Sequence, residues 1–206
     1  LEIGCGTGLF TREYLRDARP GSLLLNDICP EVEPYLSGLP DTPRFQFRAC
    51  DAEPLPFPKG QDLIVSCSAI QWFEHPERFL CQCKDLLKTE GYLAFSTFGP
   101  QNVREVASLT SEALPYRSLE ELRRMLSGVY QIVYSREELL HRTFSSPLDV
   151  LKHLQATGVT GIRNRKWTKG QLEDFCRRYH RQYAAPDGTV SLTYHPIYMI
   201  CKKQEQ

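Results

Sequence analysis

The sequence predicts an α/β protein with a doubly wound, mostly parallel sheet of seven strands, the last of them antiparallel. Three features carry this prediction. The chain opens on an apolar stretch, residues 1–3, that leads through three glycines into a helix-like segment from Leu9. Short apolar runs then alternate with helical segments up to residue 97, as in the βα units of parallel sheets. Two strand-like stretches, 129–144 and 191–200, suit a closing hairpin-like pair.

Apolar spacing, turn residues and prolines define the remaining elements. Strands are predicted over 22–27, 44–50, 61–66 and 91–97, the last after a Thr-Glu-Gly turn at 89–91. Helices are predicted over 9–17, 30–39, 77–87, 101–114, 118–126, 147–157 and 168–183. Pro30 suits the first turn of its helix, and Ser118 with Glu121 forms a capping-box pattern.

Composition is that of an ordinary globular chain. The 206 residues are 41% hydrophobic and 24% charged with a net charge of zero, which argues against general nucleic-acid binding. Residues 1–99 carry 9 Lys/Arg and 14 Asp/Glu, whereas residues 100–206 carry 16 and 11, so the second half is basic. No apolar run approaches the ~20 residues of a membrane span. We therefore expect a soluble, cytoplasmic protein.

The eight cysteines form no C-x-x-C motif and no Cys/His cluster at zinc spacing. Several lie in apolar runs, where cysteine behaves as a small buried hydrophobe. Reduced, structural thiols and no metal site are predicted, in keeping with a cytoplasmic location. The chain also opens without Met inside its first predicted strand, so we expect a further segment before residue 1.

The glycine stretch has the spacing E-x-G-x-G-x-G, with Glu2 placed two residues before Gly4, and Gly6 and Gly8 after it. Glycines permit the φ/ψ values of a tight turn and let a ligand approach the backbone, while the helix N-terminus offers free N–H groups. The dinucleotide fingerprint has a different spacing, G-x-G-x-x-G. The motif resembles the first motif of the Rossmann-like class I S-adenosylmethionine-dependent methyltransferases. A dehydrogenase loop or a plain structural turn remains the alternative.

That resemblance implies that the loop, with Cys5, passes under the methionine part of the cofactor and that Glu2 helps to hold it. Asp27 lies 19 residues beyond Gly8 at the predicted end of the second strand. A carboxylate at that point, next to Ile28, can accept hydrogen bonds from both ribose hydroxyls. The alternative is a solvent-exposed turn aspartate.

The third and fourth strands end in further candidates. Asp51 can accept from an adenine amino group, and the Ala52 N–H can donate to a ring nitrogen. The stretch from 50 to 58, Cys-Asp-Ala-Glu-Pro-Leu-Pro-Phe-Pro, resembles the third-strand motif of small-molecule methyltransferases of this class. Ser66, Gln71 and Trp72 follow the central strand, where a ligand in an open parallel sheet binds. They are predicted to face the transferable methyl group, with core packing as the alternative for Trp72.

Three segments go beyond the general fold. They are Ser-Cys-Ser-Ala-Ile-Gln-Trp at 66–72, Gly-Val-Thr-Gly at 158–161 and Leu-Thr-Tyr-His at 192–195. Together they resemble the malonyl-[acyl-carrier protein] O-methyltransferase family, over essentially the whole chain. Cys67 stands where that family leads us to expect Asn, so a polar role for this side chain is not carried over.

The family resemblance implies methylation of the free carboxylate of a malonyl thioester on acyl carrier protein, an early step of biotin (pimeloyl) synthesis. A carboxylate is ionised near neutral pH, so no general base is expected. Gln71, Trp72, Tyr194 and His195 are candidates for positioning the acceptor. Arg163 or Arg165 is the candidate for pairing with its carboxylate. One domain over 1–206 is expected, with helical cap elements at 101–128 and 147–183.

The segment 163–181 carries an excess of basic residues, and acyl carrier protein is acidic. Its basic members are Arg163, Arg165, Lys166, Lys169, Arg177, Arg178 and Arg181. The hypothesis is that this surface docks the carrier; a solvated helix face is the alternative. Two other functions remain open: another small-molecule carboxyl methyltransferase of the trans-aconitate type, and a non-catalytic methyltransferase-like binding module. The second usually loses the glycines or the ribose acid, and this chain keeps both.

Overall fold

The chain folds into two compact units. The computed structural model describes residues 1–39, 45–110, 115–157 and 167–204. The first unit, here called the sheet unit, comprises Leu1–Thr97, Leu119–Arg136 and Ile197–Gln206. The other, called the second unit, comprises Phe98–Ser118 and Glu137–Pro196.

The main sheet has seven strands in the order β3-β2-β1-β4-β5-β9-β6 and is mostly parallel, as the sequence predicts. Its strands are β1 (Glu2–Ile3), β2 (Leu23–Asp27), β3 (Phe45–Ala49), β4 (Gln61–Cys67), β5 (Leu87–Phe98), β6 (Tyr130–Glu137) and β9 (Pro196–Lys203). The short β1 lies between β2 and β4, with Glu2 in register with Leu25 and Val65. Because β1 to β4 are parallel neighbours, the loops that follow them meet at one edge of the sheet.

Six α-helices accompany the strands in the described part of the chain. They are α1 (Leu9–Asp17), α2 (Pro76–Gln82), α3 (Arg104–Thr110), α4 (Leu119–Ser127), α5 (Pro147–Thr157) and α6 (Lys169–Tyr183). The first begins at Gly8, whose left-handed backbone turns the chain into the helix. The last begins with a capping box between Thr168 and Gln171. None of the helices in the described ranges combines the length and apolarity needed to cross a bilayer.

Each unit has its own apolar core. In the sheet unit the central strands bury Leu25, Ile64 and Leu93 completely, and α4 buries Leu122 and Leu126. Successive residues are buried in β2 and in β4, so these two strands are covered on both faces and read as apolar runs rather than alternations.

The second unit packs α3, α5 and α6 with an antiparallel pair, β7 (Leu140–Phe144) and β8 (Val190–Tyr194). Leu192, Val150 and Tyr179 are fully buried there, and the Tyr179 hydroxyl donates to the Ser191 carbonyl at 2.7 Å. The hydroxyl thus finds a partner inside an otherwise apolar core.

Two predicted strands are wrong because each divides. The stretch 129–144 forms β6 and β7, separated by two residues, and 191–200 forms β8 and β9, separated by His195. Pro196, the first residue of β9, has no N–H to donate to a continuing ladder, and β8 and β9 belong to different sheets. His195 is therefore the junction residue between β8 and β9.

Three local predictions also need correction. The helix predicted over 30–39 is a 3-10 helix, Pro30–Leu36, because Pro34 inside it lacks an N–H. The helix predicted over 77–87 ends at Gln82, is followed by a 3-10 turn, and gives way to β5 at Leu87. The predicted turn at 89–91 lies within β5 as an irregularity, where Glu90 has a φ of 65° and the register against β4 shifts. Part of the helix predicted over 101–114 lies outside the described residues.

Candidate active site

The glycine loop joins β1 to α1 and takes its shape from positive φ values at Gly4, Gly6 and Gly8, which are 67°, 52° and 76°. A Cβ added at Gly4 would lie 2.3 Å from the Ala69 Cβ, so the loop packs directly on the segment after β4. A Cβ at Gly6 would meet nothing within 4 Å. Gly4 is therefore required by both packing and conformation, whereas Gly6 is required by conformation and leaves open space beside its backbone.

Asp27 lies at the end of β2, where the sequence predicts a ribose-binding carboxylate. Its Oδ2 accepts from the Gly6 N–H at 2.8 Å and its Oδ1 accepts from the Cys29 N–H at 3.0 Å. The side chain is half-buried, and Ile28 beside it is 69% exposed. These two bonds orient the carboxylate and tie it to the glycine loop, while its other lone pairs stay available to a ligand.

Asn26, which the sequence analysis missed, fixes the same edge. Its side-chain nitrogen donates to the carbonyls of Arg48 and Cys50 at 3.0 and 2.8 Å, and its backbone carbonyl accepts from the Cys5 N–H at 2.8 Å. The sequence signal of this role is an Asn that directly follows the three leucines 23–25 of a predicted buried strand. Asn26 thus joins the ends of β2 and β3 through its side chain and bonds the glycine loop through its backbone.

Glu2 lies inside the sheet unit and is 4% exposed. Its Oε2 accepts from the Thr11 hydroxyl at 2.7 Å, which ties β1 to α1 beneath the loop. Burial raises the pKa of this carboxyl to about 7, against the lowering effect of the Thr11 hydrogen bond. In the structure, therefore, the Glu2 carboxylate, which was predicted to hold the cofactor, contacts Thr11 and supports the glycine loop.

Two thiols lie close to this edge, and neither has the properties of a nucleophile. Burial raises the pKa of Cys5 to about 12 and that of Cys67 to about 11. A nucleophilic cysteine needs a lowered pKa. All eight cysteines are free thiols, and the described residues contain no cluster that could hold a metal ion.

The loop after β3 contains Asp51 and Ala52, the predicted adenine contacts. Asp51 is exposed and its Oδ1 accepts from the Glu53 N–H at 2.9 Å, while Ala52 is buried. The Glu53 carboxylate, which the sequence analysis missed, accepts from the backbone N–H of Glu74 at 3.0 Å and from that of His75. The loop after β3 is therefore bonded to the loop after β4.

Gln71 and Trp72 follow the central strand, whereas Ser66 lies within it, because β4 continues to Cys67. Within the described part of the chain, Ser66 Oγ and Gln71 Oε1 are buried side-chain atoms without a hydrogen-bond partner. The Gln71 amide nitrogen donates to the Ser68 carbonyl at 2.7 Å, so its oxygen is held in place. Trp72 is 47% exposed, which argues against core packing. Buried polar atoms without partners are rare, and these two suit a polar ligand or water.

The Leu-Thr-Tyr-His segment lies in the second unit, where each polar member has a defined partner. The Thr193 N–H and hydroxyl both donate to the carboxylate of Glu105, at 2.9 and 2.5 Å. Both residues are buried, and the pair anchors β8 to α3. Leu192 is fully buried in the core of the unit. The partner Glu105 is 88 residues away in the chain, so no local pattern indicates it.

The Tyr194 hydroxyl lies 2.8 Å from His153 Nε2 on α5. Burial raises the pKa of Tyr194, and burial with the nearby charge of Arg142 lowers the pKa of His153. The ring of Phe98 lies 6.3 Å from that of Tyr194. Both titratable groups are therefore neutral near pH 7, and Tyr194 forms part of an aromatic cluster of the second unit.

His195 is 6% exposed at the junction between β8 and β9. Its Nδ1 accepts from the Gln101 N–H at 3.2 Å, so the proton of the neutral ring lies on Nε2, which is 3.0 Å from Glu137 Oε2. The Gly99 N–H donates to the His195 carbonyl at 2.7 Å, and a Cβ at Gly99 would lie 2.5 Å from the ring. The imidazole thus holds the chain that follows β5.

The remaining predicted acceptor residues lie outside the described ranges. These are the Gly-Val-Thr-Gly stretch 158–161, Arg163, Arg165 and Lys166. On α6, Lys169 and Arg177 have side chains that are 91% and 74% exposed. Arg178 is different, because its guanidinium donates to the Leu109 carbonyl at 2.9 Å and supports the unit.

Comparison with known proteins places this architecture. Residues 1–95 match the family model described as a methyltransferase domain. The fold also matches that of the N-methyltransferase NodS from Bradyrhizobium japonicum, solved with S-adenosylhomocysteine, at a TM-score of 0.57 and 13% identity over 99% of this chain and 76% of that one. The fold is therefore that of the class I methyltransferases.

Two relatives from Bacteroides indicate the family within this class. The malonyl-[acyl-carrier protein] O-methyltransferase of B. thetaiotaomicron is 46% identical over the whole of this chain and 82% of its own length. The protein of the same name from B. fragilis is 48% identical over 99% of this chain, which spans 41% of that longer relative. The chain belongs to the malonyl-[acyl-carrier protein] O-methyltransferase family.

Proposed function

We propose that this protein transfers a methyl group from S-adenosylmethionine to the free carboxylate of a malonyl thioester on acyl carrier protein, an early step of biotin synthesis. The observation that carries the proposal is the identity of 46% to a relative of that name over the whole chain. The resemblance that the sequence shows at 66–72, 158–161 and 192–195 agrees with it.

The proposed cofactor site comprises Glu2, Gly4, Cys5, Gly6, Gly8, Asp27, Ile28, Asp51, Ala52 and Ser66. The fit rests on three features of the sheet edge: open space beside Gly6, an oriented carboxylate at Asp27, and buried oxygens at Ser66 and Gln71 without partners. Asp27 would accept from the ribose hydroxyls, and Asp51 with the Ala52 N–H would meet the adenine. Glu2 acts through Thr11 by holding the loop from beneath.

When bound, S-adenosylmethionine supplies a methyl group on a sulfonium sulfur, and that sulfur is the leaving group of the transfer. The acceptor carboxylate is ionised at neutral pH, so the protein needs no general base. The neighbouring groups agree with this, since Glu2 is bonded internally and burial raises the pKa of Cys67 to about 11. The contribution of the protein is to align the reactants and exclude water, effects that supply up to ~7–11 kcal/mol.

Acceptor positioning is assigned to Gln71, Trp72, Tyr194 and His195. Gln71 and Trp72 follow the central strand, with Trp72 exposed enough to contact a ligand. Tyr194 offers a hydroxyl oriented by His153, whereas His195 acts by holding Gly99 and Gln101. Arg163 or Arg165 is proposed to pair with the malonyl carboxylate.

The carrier is proposed to dock on the basic segment 163–181. Lys169, Arg177 and Arg181 are exposed on α6. Arg177 and Arg181 are four residues apart and so lie on one side of the helix, and Lys169 is eight residues before Arg177. Such a surface attracts an acidic carrier and speeds its encounter.

The decisive experiment is methyl transfer from labelled S-adenosylmethionine to malonyl-acyl carrier protein, with malonyl-coenzyme A, trans-aconitate and no acceptor in parallel. We expect carrier-dependent, base-labile label, as a carboxyl methyl ester requires. Transfer to trans-aconitate with none to the carrier would overturn the acceptor assignment. Cofactor binding without transfer to any acceptor would favour a binding module instead.

A further inference from the structure

Glu53 forms a bridge between the two loops that flank the proposed site. Its Oε2 accepts from the Glu74 N–H at 3.0 Å, and its Oε1 accepts from the His75 N–H. These bonds join positions 21 and 22 residues apart in the chain. Both N–H groups belong to the two residues directly before α2, so the carboxylate of Glu53 fixes the chain where it enters the helix.

The two ends of this bridge lie next to different proposed ligand contacts. Asp51 and Ala52 directly precede Glu53, and the Asp51 carboxylate accepts from the Glu53 N–H at 2.9 Å. Glu74 follows the 3-10 turn Ile70–Trp72 after a single residue. The bridge therefore connects the proposed adenine contacts to the segment that carries Trp72.

Packing beneath the bridge makes the connection continuous. Ala52, Ile70 and Phe79 belong to one buried cluster, and Phe73 packs edge-on against Phe79 with ring centroids 4.6 Å apart. A displacement of either loop thus meets packed side chains below and two hydrogen bonds above. Coupling between neighbouring sites is carried by such contiguous contacts.

We propose that Glu53 is a positioning residue that couples occupation of the adenine side of the cofactor site to the placement of Gln71 and Trp72. This inference rests on the proposed cofactor site. Because coupling is reciprocal, loss of the bridge weakens cofactor binding and also loosens Trp72. A purely structural role in holding the chain before α2 would lower stability without changing how Trp72 responds to ligand.

The test uses Trp72 as its own reporter. The chain has two tryptophans, so Trp167→Phe leaves Trp72 as the single emitter. In that background, Glu53→Gln keeps the side-chain shape but replaces one accepting oxygen by a donor. Glu120→Gln on α4 is the matched control, since it removes one exposed carboxylate charge far along the chain. S-adenosylhomocysteine is the probe, and emission, acrylamide quenching and Kd are the readouts.

We expect Glu53→Gln to raise the Kd for S-adenosylhomocysteine about threefold to tenfold, because fewer molecules hold the competent loop arrangement. Acrylamide quenching of Trp72 should rise in the ligand-free protein, and the ligand-induced change in emission should shrink. Glu53→Asp, which keeps the charge but reaches less far, should restore part of the response. It also covers the case in which Glu53→Gln melts early.

Two negative results are distinguishable. If Glu53→Gln binds and responds like Glu120→Gln, the coupling role is wrong although the cofactor site stands. If the Trp167→Phe protein and the unaltered chain both fail to bind S-adenosylhomocysteine, the cofactor site is wrong and the inference falls with it.

Discussion

The glycine loop of the sheet unit and the Leu-Thr-Tyr-His segment of the second unit build their sites in opposite ways. The loop works through backbone conformation, with positive φ at Gly4, Gly6 and Gly8. The segment works through side-chain pairs, in which Thr193 bonds Glu105 and Tyr194 bonds His153. A site built from backbone conformation depends on adjacent residues, so its pattern is visible in the local sequence. A site built from side-chain pairs depends on partners that are distant in the sequence.

The largest effect should come from Gly4→Ala, which tests the backbone half of this comparison. The new Cβ would collide with Ala69 at 2.3 Å and sit at a φ of 67°. Overpacking and a left-handed alanine together should cost about 2–5 kcal/mol of unfolding free energy. The variant should no longer bind S-adenosylhomocysteine, and calorimetry measures this loss. Gly6→Ala, with open space around its Cβ, should cost only the ~1–2 kcal/mol of the backbone term. Equal costs would contradict the packing role of Gly4.

A second large effect is the pH dependence created by Glu2. Its pKa is raised to about 7 from an ordinary 4.5, so the folded state binds this proton more tightly than the unfolded state. The stability that this protonation contributes is complete below pH 4.5 and is lost as pH rises through 7. A pKa difference of one unit corresponds to about 1.36 kcal/mol. From low to high pH, the unaltered chain should therefore lose on the order of 3 kcal/mol of unfolding free energy relative to Glu2→Gln. Urea unfolding of both proteins at pH 5 and pH 8 measures it; parallel profiles would contradict the buried charge.

A smaller effect is expected from Thr193→Val, which tests the side-chain half. The variant keeps the β-branched shape but removes the hydroxyl that bonds Glu105, at a cost of about 1–3 kcal/mol. The KM for malonyl-acyl carrier protein should rise, while the Kd for S-adenosylhomocysteine stays unchanged. Thr143→Val on the exposed β7 is the control. A change in cofactor affinity equal to the change in KM would show that the two halves are not separable.

The smallest effect should come from reversing charge on α6. Arg177→Glu with Arg181→Glu should raise the KM for the carrier substrate about threefold to tenfold at low salt and less at high salt, as exposed pairs are weak and screened. Arg178 is left intact, because it supports the Leu109 carbonyl. Arg123→Glu with Arg124→Glu on α4 carries the same charge change. An unchanged KM in the α6 variant would remove this face as the docking surface.

The sequence predicted the features that local chemistry dictates. Glycine spacing indicated the loop, apolar runs indicated β2 and β4, and Asp27 was expected at a strand end, where it lies. Its bonds to the Gly6 and Cys29 N–H groups follow from that position. Each of these depends on residues within one βα unit or on the order of strands that such units impose.

Contacts between distant parts of the chain could not be predicted from local sequence patterns. Apolar alternation over 191–200 reads as one strand, because alternation reports a half-buried face but not which sheet the strand joins. The partners Glu105, His153 and Glu137 lie 88, 41 and 58 residues from their targets. The role of Glu53 could not be predicted for the same reason, since its carboxylate accepts from N–H groups 21 and 22 residues further on. Pro34, by contrast, is a local feature of the sequence that argues against an α-helix over 30–39.

The second unit is assembled from two stretches, 98–118 and 137–196, and the chain returns to the sheet unit between them. A chimera of two relatives joined at one crossover within this span would therefore mix parents inside the same core. Leu109 would come from one parent and Phe175 from the other, although both pack in one cluster. Clean exchange of this unit requires a double graft, so family members that differ in it should recombine poorly at single breakpoints.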